Sequence, residues 1–183
     1  MKKYTLIALA IIYFSSGSQA QDMGYTSFDI GAEYRWSDNS PSYNLQAAFN
    51  SQVHHSLVVS AGLKTAYRPI KGTHDNEKGR GWGVGLGYRY YFAPITKRFF
   101  IGARADVWNM KMYRTANLTA EDTKVMILQP NFELGHTFVV NDLFFVTTFI
   151  SAGQQITVSS KGDKFNYGNG FVPSAGICAG WRF

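Results

Sequence analysis

Few side chains in this 183-residue chain could carry out chemistry. His54 and His55 are adjacent, His74 sits in Thr73-His74-Asp75-Asn76-Glu77, and His136 begins His136-Thr137-Phe138. Adjacent histidines could hold a metal, but no further ligand set accompanies them, so no metal is expected. His74 beside acids has the residue types of an acid–base pair, although a loop histidine of this kind is more often solvated surface. Cys178 is the single cysteine, which excludes a disulfide framework within the chain and any multi-cysteine zinc or iron–sulfur site. A small buried thiol is its default role. What remains is charge: Asp29, Glu33, Asp106 and Glu133, with Arg35, Lys64, Arg68, Arg89, Arg104 and Arg182.

The elements that position these charges show in composition and alternation. Hydrophobic residues make up 45%, charged residues only 16% and aromatics 16%, with 18 glycines. The length suits one domain. The low charge argues against disorder, and so many aromatics and glycines suit a sheet better than a helical bundle. Period-2 runs follow one another along the chain. Phe28, Ile30, Ala32, Tyr34 and Trp36 face away from Asp29, Gly31, Glu33 and Arg35. Tyr43, Leu45, Ala47 and Phe49 oppose Asn44, Gln46, Ala48 and Asn50, and Leu57, Val59, Ala61, Leu63 and Tyr67 oppose Ser60, Gly62, Lys64 and Arg68. The fourth run is the clearest, with Trp82, Val84, Leu86, Tyr88, Tyr90 and Phe92 against Gly81, Gly83, Gly85, Gly87 and Arg89. Phe99 to Val107 sets Gly102, Arg104 and Asp106 on its polar face, and Met126 to Leu134 sets Gln129, Asn131, Glu133 and Gly135 there. Pro130 conflicts with a regular ladder, so a bulge is expected at that point. After the short turn Val140-Asn141-Asp142, the parity of a seventh run, Leu143 to about Val158, is open. The eighth alternates Phe171, Pro173, Ala175, Ile177, Ala179, Trp181 and Phe183 against Ser174, Gly176, Cys178, Gly180 and Arg182.

The first 20 residues combine Lys2-Lys3, an apolar core and Ser18-Gln19-Ala20, the parts of a secretory signal peptide cleaved after Ala20. Its apolar run is far short of the ~20 residues a spanning helix needs. The mature chain, 21–183, would lose two of the +6 formal charges, and the Lys-Lys start looks bacterial. No other stretch is a helical span, and mean hydropathy is −0.15, which a transmembrane β-barrel reconciles because only alternate residues face lipid. A soluble barrel would place its apolar face inward. Residue size argues against that: glycines suit a crowded interior, whereas the large aromatics of the other face are too bulky for it. Two aromatic girdles also emerge, one at Tyr34, Trp36, Tyr43, Tyr67 and Trp82, the other at Phe28, Phe49, Phe92, Phe99, Phe138, Phe144, Trp181 and Phe183. The expected fold is therefore all-β, a closed eight-stranded antiparallel up-and-down transmembrane β-barrel.

On these residues the chain resembles small eight-stranded outer-membrane proteins of the OmpX and OmpA-barrel class. The C-terminal Phe183, with Trp181, Ala179, Ile177 and Ala175 alternating before it, resembles the signature by which the outer-membrane assembly machinery recognises such proteins. The first outer loop, Ser37 to Ser42, is shorter than that class suggests, and no peptidoglycan-binding domain follows. The resemblance implies the outer membrane of a Gram-negative bacterium and a salt-bridged interior built from the ten charges above. A narrow or gated channel is the alternative. Some small barrels of this kind modify lipid A, but His136-Thr137-Phe138 lacks their His-x-Ser pattern, so no enzyme and no cofactor are expected. The outer loops, near Pro69–Arg80, Met110–Lys124 and Ser159–Gly170, mix Lys71, Lys78, Arg80, Lys111, Arg114, Lys124, Lys161 and Lys164 with Asp75, Glu77, Glu121, Asp122 and Asp163. Their bases could meet lipopolysaccharide phosphates, or could simply hydrate the loops. Phe165 and Tyr167 could serve an extracellular surface partner. Asn117-Leu118-Thr119 is taken as a chance sequon in a bacterial chain, no basic face suits nucleic acid, and a monomer is expected.

Overall fold

A computed structural model describes residues 26–37, 40–51, 54–69, 76–92, 97–114, 123–161 and 170–183. The expected signal peptide, His74, Asn117, Phe165 and Tyr167 lie outside them. Eight strands form: β1 (Ser27–Ser37), β2 (Ser42–Ser51), β3 (His55–Pro69), β4 (Asn76–Tyr91), β5 (Lys97–Arg114), β6 (Thr123–Val140), β7 (Phe144–Lys161) and β8 (Gly170–Arg182). They pair in chain order into a closed antiparallel barrel. The closing seam runs from Asp29 opposite Arg182 to Ser37 opposite Ser174. The two ends of the described barrel meet there, where Phe28 and Phe183 exchange backbone hydrogen bonds of 2.9 and 2.8 Å. That end also carries the short turns. At Val140–Leu143 the turn has Asn141 and Asp142 at φ 52° and 56°, the left-handed pair of a type I′ hairpin, which Asn and Asp tolerate best after glycine.

The alternation read from sequence holds in the first six strands and the eighth. In β1 every residue from Asp29 to Ser37 alternates buried and exposed, with the charges inside. The lipid face carries Ile30, Leu45, Leu63, Val84, Leu86, Ile101, Leu134, Ile150 and Ile177, all exposed, between exposed aromatics at either end. No water-soluble fold leaves such a continuous apolar belt uncovered. The open parity of β7 resolves with Phe145, Thr147, Phe149, Ser151 and Gln155 inward.

Three expectations are corrected. The bulge lies not at Pro130 but further along the β6–β7 ladder, where Met126 opposes Ser159 and Ile127 opposes Thr157, so that Val158 is skipped. Pro130 keeps its place opposite Ala105 of β5. The strands run well into the expected outer loops: β4 begins at Asn76, β5 continues to Arg114, and β6 starts at Thr123.

The third correction concerns the aromatics. Tyr91, Phe100, Trp108, Phe145 and Phe149 are buried in the interior. Glycine makes the room. Trp108, Phe100 and Phe149 stand directly opposite Gly83, Gly135 and Gly176 on neighbouring strands, and a Cβ on Gly31 would come within 2.8 Å of Phe145 Cζ. Small and large inward positions are thus matched across strand pairs, the usual unit of sheet stabilisation.

Candidate functional site: the charged lumen

The bore is filled by three layers, one ionic and two apolar. The middle layer is ionic. Arg104 of β5 donates from Nε to Asp106 Oδ1 at 2.8 Å and from Nη1 to Glu33 Oε2 at 2.8 Å, and its Nη2 donates to Ser60 Oγ at 2.8 Å. Arg35 of β1 donates to Glu133 Oε1 at 2.6 Å and lies 3.5 Å from Asp106 and 3.6 Å from Glu33. Arg89 of β4 donates to Glu133 Oε2 at 3.2 Å. Three carboxylates and three guanidinium groups, all buried, therefore brace β1, β4, β5 and β6 across the bore. A buried ion is tolerated only when paired and hydrogen-bonded, and here the remaining oxygens are met by amides. Asn44 donates to Glu33 at 2.8 Å and Asn131 to Asp106 at 3.2 Å. The Gln46 amide, oriented to suit both neighbours, donates to Glu33 at 2.8 Å and accepts from Arg89 at 3.2 Å.

Lys64 stands beside this layer without a carboxylate partner among the described residues. Its Nζ donates to Gln129 Oε1 at 2.7 Å and sits 5.4 Å from the centre of the Trp108 ring. Asp29 and Arg182 form a separate bidentate pair at 2.7 Å across the seam, with Asn50 donating to Asp29 at 3.0 Å. So of the ten charges expected from sequence, six join one cluster and two form the seam pair. Lys64 connects only through amides, and the side chain of Arg68 is outside the described residues.

Apolar layers flank the ions. Toward the long-loop end, Ala66, Trp108, Met110, Met112, Val125 and Ile127 form one buried cluster. Toward the turn end, Tyr91, Phe100 and Phe149 form another. Its rings double as cation platforms, with Arg89 4.7 Å from the Phe100 centroid and Arg35 5.0 Å from that of Phe149. Sequence reasoning did not single out these residues, nor Glu77, which is buried at the start of β4. Glu77, Met110 and Met112 fall within the loop ranges expected from sequence, which hides their inward positions.

The described histidines, His54, His55 and His136, lie near the turn end. His54 Nδ1–H donates to the Tyr91 carbonyl at 2.6 Å, and its ring stacks on Tyr90. His55 is hydrogen-bonded to the Tyr88 hydroxyl, and His136 packs 4.2 Å from the Phe138 ring centre. Among the described residues no three metal-ligating side chains come together.

A closed eight-stranded sheet with a lipid-facing apolar belt and a packed polar bore defines a transmembrane β-barrel of the outer-membrane type. No protein-family model and no curated protein sequence matches the chain. Solved structures do. The N-terminal β-barrel domain of Pseudomonas aeruginosa OprF is similar with a TM-score of 0.59 at 14% identity, over 87% of this chain and 99% of that one. Neisserial surface protein A is similar with a TM-score of 0.52 at 14% identity, over 87% and 95%. A major outer membrane protein from Thermus thermophilus gives 0.52 at 13% identity, over 87% and 100%. At such identities the likeness to these bacterial outer-membrane barrels is one of fold.

Proposed function

We propose that this chain is a non-enzymatic integral protein of the bacterial outer membrane, with a closed lumen and a structural or surface-interaction role. The observation that carries this reading is the cross-bore ionic layer, in which Arg35, Arg89 and Arg104 bind Glu33, Asp106 and Glu133. A continuous water path would require those inward side chains to be exposed, and they are buried. Delivery by the outer-membrane assembly machinery through Trp181 and Phe183, and a surrounding of outer-membrane lipids and lipopolysaccharide, belong to the same reading. The long loops are its surface for an extracellular partner.

Recording from the purified protein in planar bilayers tests the lumen. Silence in the wild type and in Glu133→Ala is expected; discrete conductance steps in the wild type would favour a narrow channel instead. For the surface role, removal of residues 162–169 should reduce adhesion of expressing cells to a host-cell layer. Unchanged adhesion would leave a purely structural protein.

A further inference from the structure

Among the described residues, the outer surface at the long-loop end carries one sign of charge. Arg80, Lys111, Lys124 and Lys161 are direct cross-strand partners, β4 to β5, β5 to β6 and β6 to β7. All four are exposed, as is Lys78 two residues before Arg80. Their positions share the parity of the lipid-facing residues: Trp82 follows Arg80 by two, and Met126 follows Lys124 by two. At an interstrand spacing of about 4.8 Å, the row is about 14 Å wide. Of the described acids, Asp29, Glu33, Glu77, Asp106 and Glu133 are buried inside, and Asp142 lies in a turn at the opposite end.

Like charges placed directly opposite on adjacent strands destabilise a sheet. Three such pairs in succession suit a multiply charged anion. Their level supplies the anion. The row lies one outward-facing step beyond Trp82, which is exposed at the aromatic girdle, and girdle aromatics mark the depth of lipid headgroups.

We propose that Arg80, Lys111, Lys124 and Lys161 form a binding row for the phosphates of lipopolysaccharide in the outer leaflet. The row's width lets one glycolipid with two phosphates bridge several strands. Bound there, it neutralises the repulsion and ties β4 through β7 together on their outer face. This rests on the membrane placement proposed above, with the long loops outward, but not on the lumen being closed.

The test uses the full barrel refolded in detergent, titrated separately with purified lipopolysaccharide and with phosphatidylglycerol. The variant is Arg80→Gln/Lys124→Gln/Lys161→Gln; Lys111 stays, because it is engaged elsewhere as well. Lipopolysaccharide is expected to bind the wild type at least tenfold more tightly than the variant, and added salt should erase most of that difference. Without lipid the variant should keep the folded gel mobility and be at least as heat-resistant as the wild type. Equal lipopolysaccharide binding by both proteins would overturn the row. So would wild-type affinity for phosphatidylglycerol equal to that for lipopolysaccharide, which would assign the patch to generic anionic headgroups. Conductance in the wild type, with the lipid difference intact, would overturn the closed lumen alone.

Discussion

Glu133 is where the bases of three strands converge, with Arg35, Arg89 and Arg104 at 2.6, 3.2 and 4.0 Å. Converting it to Gln keeps its size and much of its hydrogen bonding but leaves three guanidinium groups and the Lys64 ammonium facing two carboxylates. Removing one partner of a buried pair costs about 3–5 kcal/mol. Glu133→Gln should therefore lower resistance to urea unfolding in lipid vesicles by that order. A double-mutant cycle with Arg89→Gln should recover part of the loss, because the two side chains share one interaction. The glycines opposite inward aromatics make the same point with volume rather than charge. Gly176→Val would place atoms where the Phe149 ring lies, and overpacking costs about 1–3 kcal/mol. A lower thermal transition checks this, whereas the same substitution at Gly170, which has nothing within 4 Å of an added Cβ, should be tolerated better.

At the scale of the element, a strand's pattern is legible only while it crosses lipid. Within the hydrocarbon, Ile30, Leu45 and Leu86 face out while Glu33, Arg35, Arg89, Arg104, Asp106 and Glu133 are buried inside, and period-2 parity expresses that requirement. From the headgroup level outward the requirement reverses. In β5 the outward Asn109 and Lys111 are polar, while the inward Trp108, Met110 and Met112 are buried and apolar. The same strand thus changes phase without a break in its pairing, and its last third reads as loop. The seventh strand is obscured differently: Phe145 and Phe149 lie inside, Thr148 lies outside, and the skip at Val158 shifts the outer end by one residue. Pairing was illegible for a third reason, since parity gives a face but not a partner. Arg35 reaches Glu133 across 98 residues of chain. The eighth strand carries two roles on its two faces. Arg182 ties the seam to Asp29, whereas Trp181 and Phe183 point into the membrane and are exposed. Phe183→Ala should leave the unfolding transition of refolded protein within about 0.5 kcal/mol, as surface changes usually do. It should nevertheless reduce the yield of folded barrel in cells, read as the fraction with folded gel mobility. Equal yields would remove Phe183 from recognition by the assembly machinery.

For the molecule as a whole, the order of layers along the bore decides what keeps it shut. Arg35 Nε and Nη1, Asn50 Oδ1 and Ser56 Oγ are buried without a protein hydrogen-bond partner, all on the ionic or turn-end side of the Trp108–Met112 cluster, while Thr123 Oγ1 is in the same condition at the long-loop edge. Polar groups of this kind recruit water, whereas an apolar cavity stays dry. Loosening the ionic layer therefore gives water new partners inside a chamber that is still sealed on its long-loop side. Loosening the apolar layer removes the seal, in the manner of a hydrophobic constriction that gates by dewetting. The turn-end rings are a weaker barrier, because Arg35 and Arg89 sit over Phe149 and Phe100 and bring charge to their faces. Met110→Ser/Met112→Ser should accordingly produce measurable conductance in planar bilayers while Glu133→Gln stays silent, although the second variant is the less stable of the two. The opposite result, a silent methionine variant and a conducting Glu133→Gln, would make the salt bridges the barrier and the flanking cluster mere filling.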